Sequence, residues 1–72
     1  MFVRYIPHAL EQMRKRHISK ALVEEAVTHS KKRYVQRNGR IKCAYIKNDK
    51  TVVVIYKQDA KDYIVITAYL LL

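Results

Sequence analysis

The stretch RIKCAYIKNDKTVVVIYK, residues 40–57, decides the fold of this chain. It holds two runs of strand-forming residues, 40–47 and 51–57, on either side of the turn-forming pair Asn48-Asp49. A tight turn at that pair fixes which residues face each other across the two strands. The stretch therefore predicts an antiparallel β-hairpin at the centre of the second half of the chain.

Two further strands are predicted on either side of this hairpin. Residues 32–37 precede the turn signal Asn38-Gly39, and residues 62–70 follow a polar loop at 58–61. The second half of the chain is thus expected to be a four-stranded antiparallel meander. Residues 2–5 offer a short additional strand near the N-terminus.

Two helices are predicted between residue 7 and residue 30. Pro7 suits the first position of a helix over residues 7–16, where its missing N–H costs nothing. Ser19 is a suitable N-cap for a second helix that ends near His29-Ser30. That helix has an apolar stripe wide enough to pack on a sheet, formed by Leu22, Val23, Ala26 and Val27. The predicted fold class is α+β, with two N-terminal helices packed on a four- to five-stranded antiparallel sheet in a single domain, residues 1–72.

Regular alternation from the predicted turns divides the sheet into two faces. We expect the helices to cover the aliphatic face, formed by Val35, Ala44, Ile46, Val53, Ile55, Ile64, Ile66, Ala68 and Leu70. The opposite face then stays open, with Tyr34, Cys43, Val54 and Val65 in one row, Tyr45, Val52 and Thr67 in the next, Ile41, Tyr56 and Tyr63 in a third, and Tyr69 beyond. An open face rich in tyrosine suits base stacking, although tyrosine is also a favourable strand residue on any half-exposed surface.

The chain is strongly basic. Lys and Arg number 15 against 6 Asp and Glu, which gives a formal net charge of +9. Such an excess attracts anionic partners, so nucleic acid is the first candidate, an acidic protein the second and a membrane surface a distant third. The longest apolar run is too short to span a bilayer, and we expect no membrane association.

A single cysteine, Cys43, allows neither an internal disulfide nor a cysteine metal site. No carboxylate cluster suggests a metal either, so we expect no metal and no other cofactor. The absence of a disulfide fits a cytoplasmic location.

Cations and aromatic rings supply the predicted RNA-binding residues. Arginine suits bidentate contacts to phosphate, and tyrosine rings can stack on bases. A solvated helix-to-strand junction accounts equally well for the basic run at residues 31–33. The predicted RNA-binding set is Arg14, Arg16, Lys31, Lys32, Arg33, Lys42, Tyr45 and Tyr56.

Short motifs near both ends of the chain resemble a known family. The first predicted helix contains His8-Ala9-Leu10, Met13-Arg14, Arg16 and Ile18-Ser19, and the last strand reads Ile64-Val65-Ile66-Thr67-Ala68-Tyr69. Between them lie Gly39-Arg40 and Val52-Val53-Val54-Ile55-Tyr56. The chain resembles a domain-of-unknown-function family of small proteins that is similar to RelE/ParE-like toxins, within the barnase, EndoU, colicin and RelE ribonuclease-like fold.

The chain departs from this family pattern at two places. Its first helical arginine, Arg14, is displaced relative to the pattern, and His17 stands where the family commonly has glycine. Glycine there would end the first helix in a left-handed conformation. We therefore expect His17 to adopt that conformation at some cost, or the turn to differ.

The resemblance implies cleavage of RNA without a metal ion. Such cleavage needs a base for the ribose 2′-hydroxyl, cations for the phosphate and an acid for the leaving oxygen. The predicted catalytic residues are His8 as the base, Arg40 on the phosphate, and Thr67 and Tyr69 on the last strand to orient or protonate the substrate. His17 and His29, at the two helix C-termini, are interpreted as structural or surface residues.

The function expected from these features is that of a toxin-like, metal-independent endoribonuclease (an mRNA interferase) of a toxin–antitoxin system. Its partners would be RNA or the ribosome and an acidic antitoxin protein. The alternative is a nonenzymatic module that binds RNA or, like ParE, inhibits a protein target. A further alternative is a homodimer formed through the tyrosine face or the apolar tail Leu70-Leu71-Leu72.

Overall fold

The computed structural model describes residues 2–71 of the chain. Its elements follow in the order β1 (Val3–Tyr5), α1 (Pro7–Lys15), α2 (Lys20–His29), β2 (Lys32–Val35), β3 (Ile41–Lys47), β4 (Lys50–Asp59) and β5 (Asp62–Leu71). Both predicted helices and all predicted strands are present, so the α+β class is confirmed. Of the predicted apolar tail, Leu72 lies outside the described residues.

The sheet has five strands in the order β1-β5-β4-β3-β2. Strands β2 to β5 form the predicted antiparallel meander, but β1 pairs parallel to β5, with Arg4 opposite Ile64. The sheet is therefore mixed, and the prediction of an entirely antiparallel sheet is wrong. Parallel neighbours need a long connection. The two helices and strands β2 to β4 lie between β1 and β5 in the sequence and provide it.

Helix α1 begins at Pro7 and ends in a left-handed turn. His17 has φ 56°, and the N–H of Ile18 donates to the carbonyl of Met13 at 2.9 Å. Ile18 and Met13 are both buried, which gives the apolar contact that usually accompanies this C-terminal motif. The left-handed conformation expected of His17 is confirmed.

Helix α2 begins and ends as its sequence predicts. The Ser19 hydroxyl accepts a hydrogen bond from the Leu22 N–H at 3.1 Å, as an N-cap should. Val23, Ala26 and Val27 are fully buried against the sheet. Burying a valine side chain stabilises a fold by roughly 1.5–3 kcal/mol, so this stripe accounts for much of the attachment of α2.

The central hairpin forms in the predicted register. Lys47 pairs with Lys50 across the turn, and Tyr45 faces Val52 further along. Asn48 and Asp49 both have positive φ, at 51° and 64°, as a tight two-residue hairpin turn requires.

The connection between β2 and β3 differs from the predicted two-residue turn. Arg37–Gly39 form a short 3₁₀ turn, and the last strand pair before it is Val35 with Ile41. Tyr34 therefore faces Lys42, and not Cys43 as a two-residue turn would require. This slip of one residue exchanges the two faces of β2.

A β-bulge breaks the pairing of β4 with β5. Ile55 faces Thr67 while the next residue, Tyr56, faces Val65. Ile66 is thus the extra residue in β5, and the residues beyond it change face relative to a regular strand.

The helices pack on the face opposite to the one predicted. The buried cluster that holds both helices contains Cys43, Val52, Val54, Tyr56, Val65 and Ala68, with Tyr45 and Tyr63 packed against it. On the other face, Ile46 is 71% exposed. The prediction of an open tyrosine face made of Tyr45, Tyr56 and Tyr63 is therefore wrong, because these rings belong to the helix-covered side.

Candidate nucleic-acid interface

The sheet face without helices, here called the open face, is built from four rows of side chains. The strand pairs place Lys32, Ala44, Val53 and Tyr69 in one row and Tyr34, Lys42, Ile55 and Thr67 in the next. Lys57, Ile64 and Arg4 lie beyond the second row, and Ile46, Thr51 and Leu71 beyond the first. Neighbouring strands are about 4.8 Å apart, so each of the two four-residue rows spans about 14 Å from β2 to β5.

The bulge at Ile66 puts two predicted catalytic residues on this face. Val65 and Ala68 both belong to the buried cluster, with two residues between them. Thr67 and Tyr69 consequently lie on the open face, in register with Ile55 and Val53. A bulge is a common means of redirecting side chains beside a functional site.

Cations are concentrated at the β2 edge of the open face. Residues 31–42 contain six cations and no carboxylate: Lys31, Lys32, Arg33, Arg37, Arg40 and Lys42. Among the described residues, the ion pairs join Arg4 to Asp62, Lys15 to Glu11 and Lys47 to Glu25, and none uses a cation of this segment. The segment therefore keeps its positive charge for an outside partner.

Two tyrosines stand on the open face. Tyr34, on the edge strand, is 57% exposed and lies directly opposite Lys42. Tyr69 is half-buried beside Val53. Val53 is 1% exposed although it does not belong to the cluster beneath the helices, so the side chains of the open face cover it. The open face thus combines an accessible tyrosine ring, Tyr34, with a buried apolar side chain, Val53.

Arg33 and Tyr56 pair with each other on the helix-covered side. Arg33 Nη1 donates to the Tyr56 hydroxyl at 2.5 Å, and the Tyr56 ring meets Tyr63 edge-on, with centroids 5.2 Å apart. Burial raises the pKa of Tyr56, and the nearby Arg33 guanidinium opposes that shift. Tyr56 is 1% exposed, so its predicted stacking on RNA bases is wrong.

Tyr45 packs against the helix-covered cluster, and its hydroxyl is hydrogen-bonded. Its hydroxyl donates to the Glu25 carboxylate at 3.1 Å, and Lys47 Nζ donates to the same carboxylate at 2.6 Å. These two hydrogen bonds, that from Lys47 first, hold the pKa of Glu25 below its usual value. Tyr45 thus ties β3 to α2, and its predicted stacking on bases stays a prediction.

The predicted cations of α1 have different environments. Arg16 Nη1 donates to the carbonyl oxygen of Ala68 at 2.8 Å and so caps the edge of β5. Arg14 is exposed near the end of the helix. Arg16 therefore has a structural role that the sequence did not indicate.

His8 and Arg40 lie apart in the fold. His8 is exposed in the first turn of α1, whose start is tied to β5 by a hydrogen bond from the Ile6 N–H to the Val65 carbonyl. Arg40 is exposed next to the 3₁₀ turn, and its carbonyl accepts from the Gln36 N–H at 2.7 Å. Within residues 2–71, no side-chain hydrogen bond joins His8 or Arg40 to Thr67 or Tyr69. Their action together with Thr67 and Tyr69 at one catalytic site stays a prediction.

Neither a metal centre nor a reactive thiol is evident. Across residues 2–71, no three His, Cys, Asp or Glu side chains gather as metal ligands would. Cys43 is fully buried, and this burial raises the pKa of its thiol. In the same range, neither helix has the length and apolar character needed to cross a bilayer.

Sequence analysis missed or misplaced three members of the open face. Lys57 was not assigned to it, Ile46 was placed on the helix-covered face, and Tyr34 was placed on the open face but opposite Cys43, whereas it lies opposite Lys42. The signal for Tyr34 was present in the chain, because asparagine and glycine at positions 38 and 39 also favour three- to five-residue hairpin loops.

A family comparison places the chain in a recognised group of small domains. The model of the family described as Domain of unknown function (DUF4258) matches residues 5–70. The chain therefore belongs to the DUF4258 family. Neither a curated protein nor a solved structure matches the chain.

Proposed function

We propose that this domain binds single-stranded RNA across the open face of its sheet. The observation that supports this proposal most directly is the row formed by Tyr34, Lys42, Ile55 and Thr67, which begins at the cation-rich edge strand β2. Successive bases can stack on an exposed ring while neighbouring cations hold the phosphates. Single-stranded RNA offers unstacked bases and phosphates together, whereas duplex RNA hides its bases.

The charge distribution favours this function over binding of a neutral ligand. The six cations of residues 31–42 have no acidic neighbour in the chain segment, and two of them, Lys32 and Lys42, lie in the rows of the open face. Binding should therefore depend steeply on salt, since each neutralised phosphate releases counterions.

The experiment that tests this proposal measures the affinity for a labelled single-stranded RNA by fluorescence anisotropy. Tyr34→Ala should weaken binding by roughly five- to 100-fold, because stacking on one base contributes about 1–3 kcal/mol. Val35→Ala is the matched control, since Val35 is the next residue of the same strand, is 81% exposed and lies on the other face. Equal affinity of the wild type and Tyr34→Ala would contradict the assignment of the open face.

A second candidate function is metal-independent endoribonuclease activity of the RelE type. The bulge at Ile66 favours this function, because it turns the hydroxyls of Thr67 and Tyr69 onto the open face, where Lys42 also lies. In this proposal the ribose 2′-oxygen attacks phosphorus and the bond to the 5′-oxygen breaks. The products are a 2′,3′-cyclic phosphate and a free 5′-hydroxyl.

The proton transfers of this reaction need one acceptor and one donor. Tyr69 is proposed to protonate the leaving 5′-oxygen, and Lys42 and Arg40 to stabilise the charge that develops on the phosphate. His8 is proposed to accept the 2′-hydroxyl proton, which requires it to reach the same phosphodiester that Tyr69 contacts. Incubation of mRNA in excess EDTA, with and without ribosomes, tests the activity, and Tyr69→Phe should reduce cleavage at least tenfold. RNA that stays intact under both conditions leaves the binding function alone.

A toxin of this kind would require a neutralising partner. We propose an acidic antitoxin protein that covers the basic edge, and the charge of +9 supports that choice. A ParE-like module that inhibits a protein target would use the same edge. Competition with RNA would separate the two. The antitoxin of an RNA-binding toxin must compete with RNA for the cations of residues 31–42, so RNA should inhibit binding of the antitoxin.

A further inference from the structure

A groove lies where the open face meets the free edge of β3. It has a volume of about 240 Å³, below the roughly 300–1,000 Å³ of pockets for drug-sized ligands. Its lining combines cations with an apolar floor: His29, Lys31, Lys32, Ala44, Tyr45 and Ile46. The groove is therefore suited to part of a larger anionic ligand.

The backbone of Ile46 supplies one hydrogen-bond donor, its N–H, and one acceptor, its C=O, to this groove. The Ser30 hydroxyl donates to the carbonyl oxygen of Ala44 at 2.6 Å, so the backbone polar groups of Ala44 point away from β4. Alternate residues of a strand direct these groups to the same side, and the N–H and C=O of Ile46 therefore also point away from β4.

No strand occupies that side of Ile46 within residues 2–71. The pairing of β2 with β3 begins at Lys32 opposite Ala44, so β2 does not reach Ile46. The pairing of β3 with β4 ends at Lys47, one residue further on. A donor and an acceptor thus stand side by side at the groove, beside the lysines of β2.

We propose that this groove takes one unpaired base of an RNA strand, whose Watson–Crick edge hydrogen-bonds to the backbone of Ile46. This inference rests on the proposed RNA-binding function and deepens it. Every base carries an adjacent donor and acceptor on that edge, and in a duplex this edge is already used. Lys31 and Lys32 hold the flanking phosphate. The groove thereby selects unpaired RNA over duplex RNA.

Other occupants fit the groove less well. An added protein strand would need several consecutive free positions, but the free edge of β3 is confined to residues next to Ile46. A larger groove of about 590 Å³ lies between α2 and the N-terminal strand, but Glu24 and Glu25 line it and would repel phosphate. The charge and the single backbone pair together point to a nucleotide.

The substitution Ile46→Pro tests the inference, because it removes the outward N–H that would bind the base. Proline is tolerated on a strand edge where the N–H makes no ladder bond. We expect Ile46→Pro to weaken binding of a linear, unpaired octanucleotide by about three- to tenfold, the value of one hydrogen bond. Affinity for a blunt-ended RNA duplex should not change. Ile46→Val keeps the N–H and is the matched control.

The outcomes separate this inference from the function on which it rests. Wild-type protein that binds neither RNA overturns the RNA-binding function itself. Wild-type protein that binds RNA, with Ile46→Pro lowering both affinities equally or neither, overturns the groove assignment alone. Should Ile46→Pro fail to fold, hydrogen exchange of the wild-type Ile46 amide gives the answer. Slower exchange with oligouridine supports the base contact, and an unchanged rate overturns it.

Discussion

Arg33 donates a hydrogen bond to the Tyr56 hydroxyl at 2.5 Å, which joins the edge strand β2 to the buried centre of β4 on the side of the helices. The pair crosses β3, which lies between these two strands. Arg33 is thus withdrawn from the cations available on the open face. Its guanidinium anchors the strand that presents Tyr34 and Lys32 to a partner.

Removal of the Tyr56 hydroxyl should loosen this anchor. Tyr56→Phe keeps the ring and its edge-on contact with Tyr63, so only the hydrogen bond is lost. We expect the free energy of unfolding to fall by about 1 kcal/mol, as measured by urea denaturation. Tyr34→Phe, which removes an exposed hydroxyl, is the control and should leave stability unchanged. A Tyr56→Phe variant as stable as the wild type would show that the pair contributes nothing.

Glycine at position 17 should stabilise the protein. His17 has φ 56°, a conformation that costs a residue with a Cβ about 1–2 kcal/mol. Glycine avoids this cost but loses more entropy on folding, so His17→Gly should gain about 0.5–1 kcal/mol in thermal or urea unfolding. His17→Ala keeps the Cβ and should show no comparable gain. If the alanine variant gains as much as the glycine variant, the backbone conformation is not the cause.

Loss of one open-face cation should change the salt dependence of RNA binding. Each phosphate contact to single-stranded nucleic acid contributes about 0.7 to the slope of log affinity against log salt. Lys42→Ala should reduce the slope by about that amount, whereas Lys50→Ala, in the turn end of β4, should not. The measurement is a titration at several salt concentrations. Equal slopes for the wild type and Lys42→Ala would remove Lys42 from the interface.

Acid should weaken the attachment of α2 to β3. Hydrogen bonds from Lys47 and Tyr45 lower the pKa of Glu25 in the folded state relative to its usual value of 4.5. The resulting stability is present above pH 4.5 and is lost as the pH falls below it through the lowered folded pKa. Glu25→Gln should flatten this part of the stability curve measured between about pH 3 and pH 6. A curve for Glu25→Gln that overlays the wild type would assign the acid sensitivity to other carboxylates.

Local sequence signals predicted the helices and the central hairpin correctly. Pro7, Ser19 and the Asn48-Asp49 pair each act within a few residues, so their effect does not depend on the rest of the fold. The left-handed conformation of His17 was expected from the family resemblance, with a different turn as the alternative. These features together determined the α+β class and the order of the elements.

Sequence revealed neither which face of the sheet the helices cover nor two one-residue details of the strands. The 3₁₀ turn at Arg37–Gly39 shifts β2 by one residue, and the bulge at Ile66 shifts β5. Both faces are rich in apolar residues, as the consecutive Val52, Val53 and Val54 illustrate, so hydrophobicity did not reveal the error. Of the predicted site, Lys32, Lys42, Thr67 and Tyr69 lie on the open face, whereas Arg33, Tyr45 and Tyr56 face the helices.

The parallel pairing of β1 with β5 also has a consequence for synthesis on the ribosome. Val3 faces Tyr63, sixty residues later in the chain, so the first strand to be made finds its neighbour only when the last strand emerges. Until then the nascent chain exposes β1 and the incomplete sheet edge together. Such distant pairing slows folding. The time during which translation leaves β1 unpaired is therefore a period of vulnerability to proteases and to aggregation.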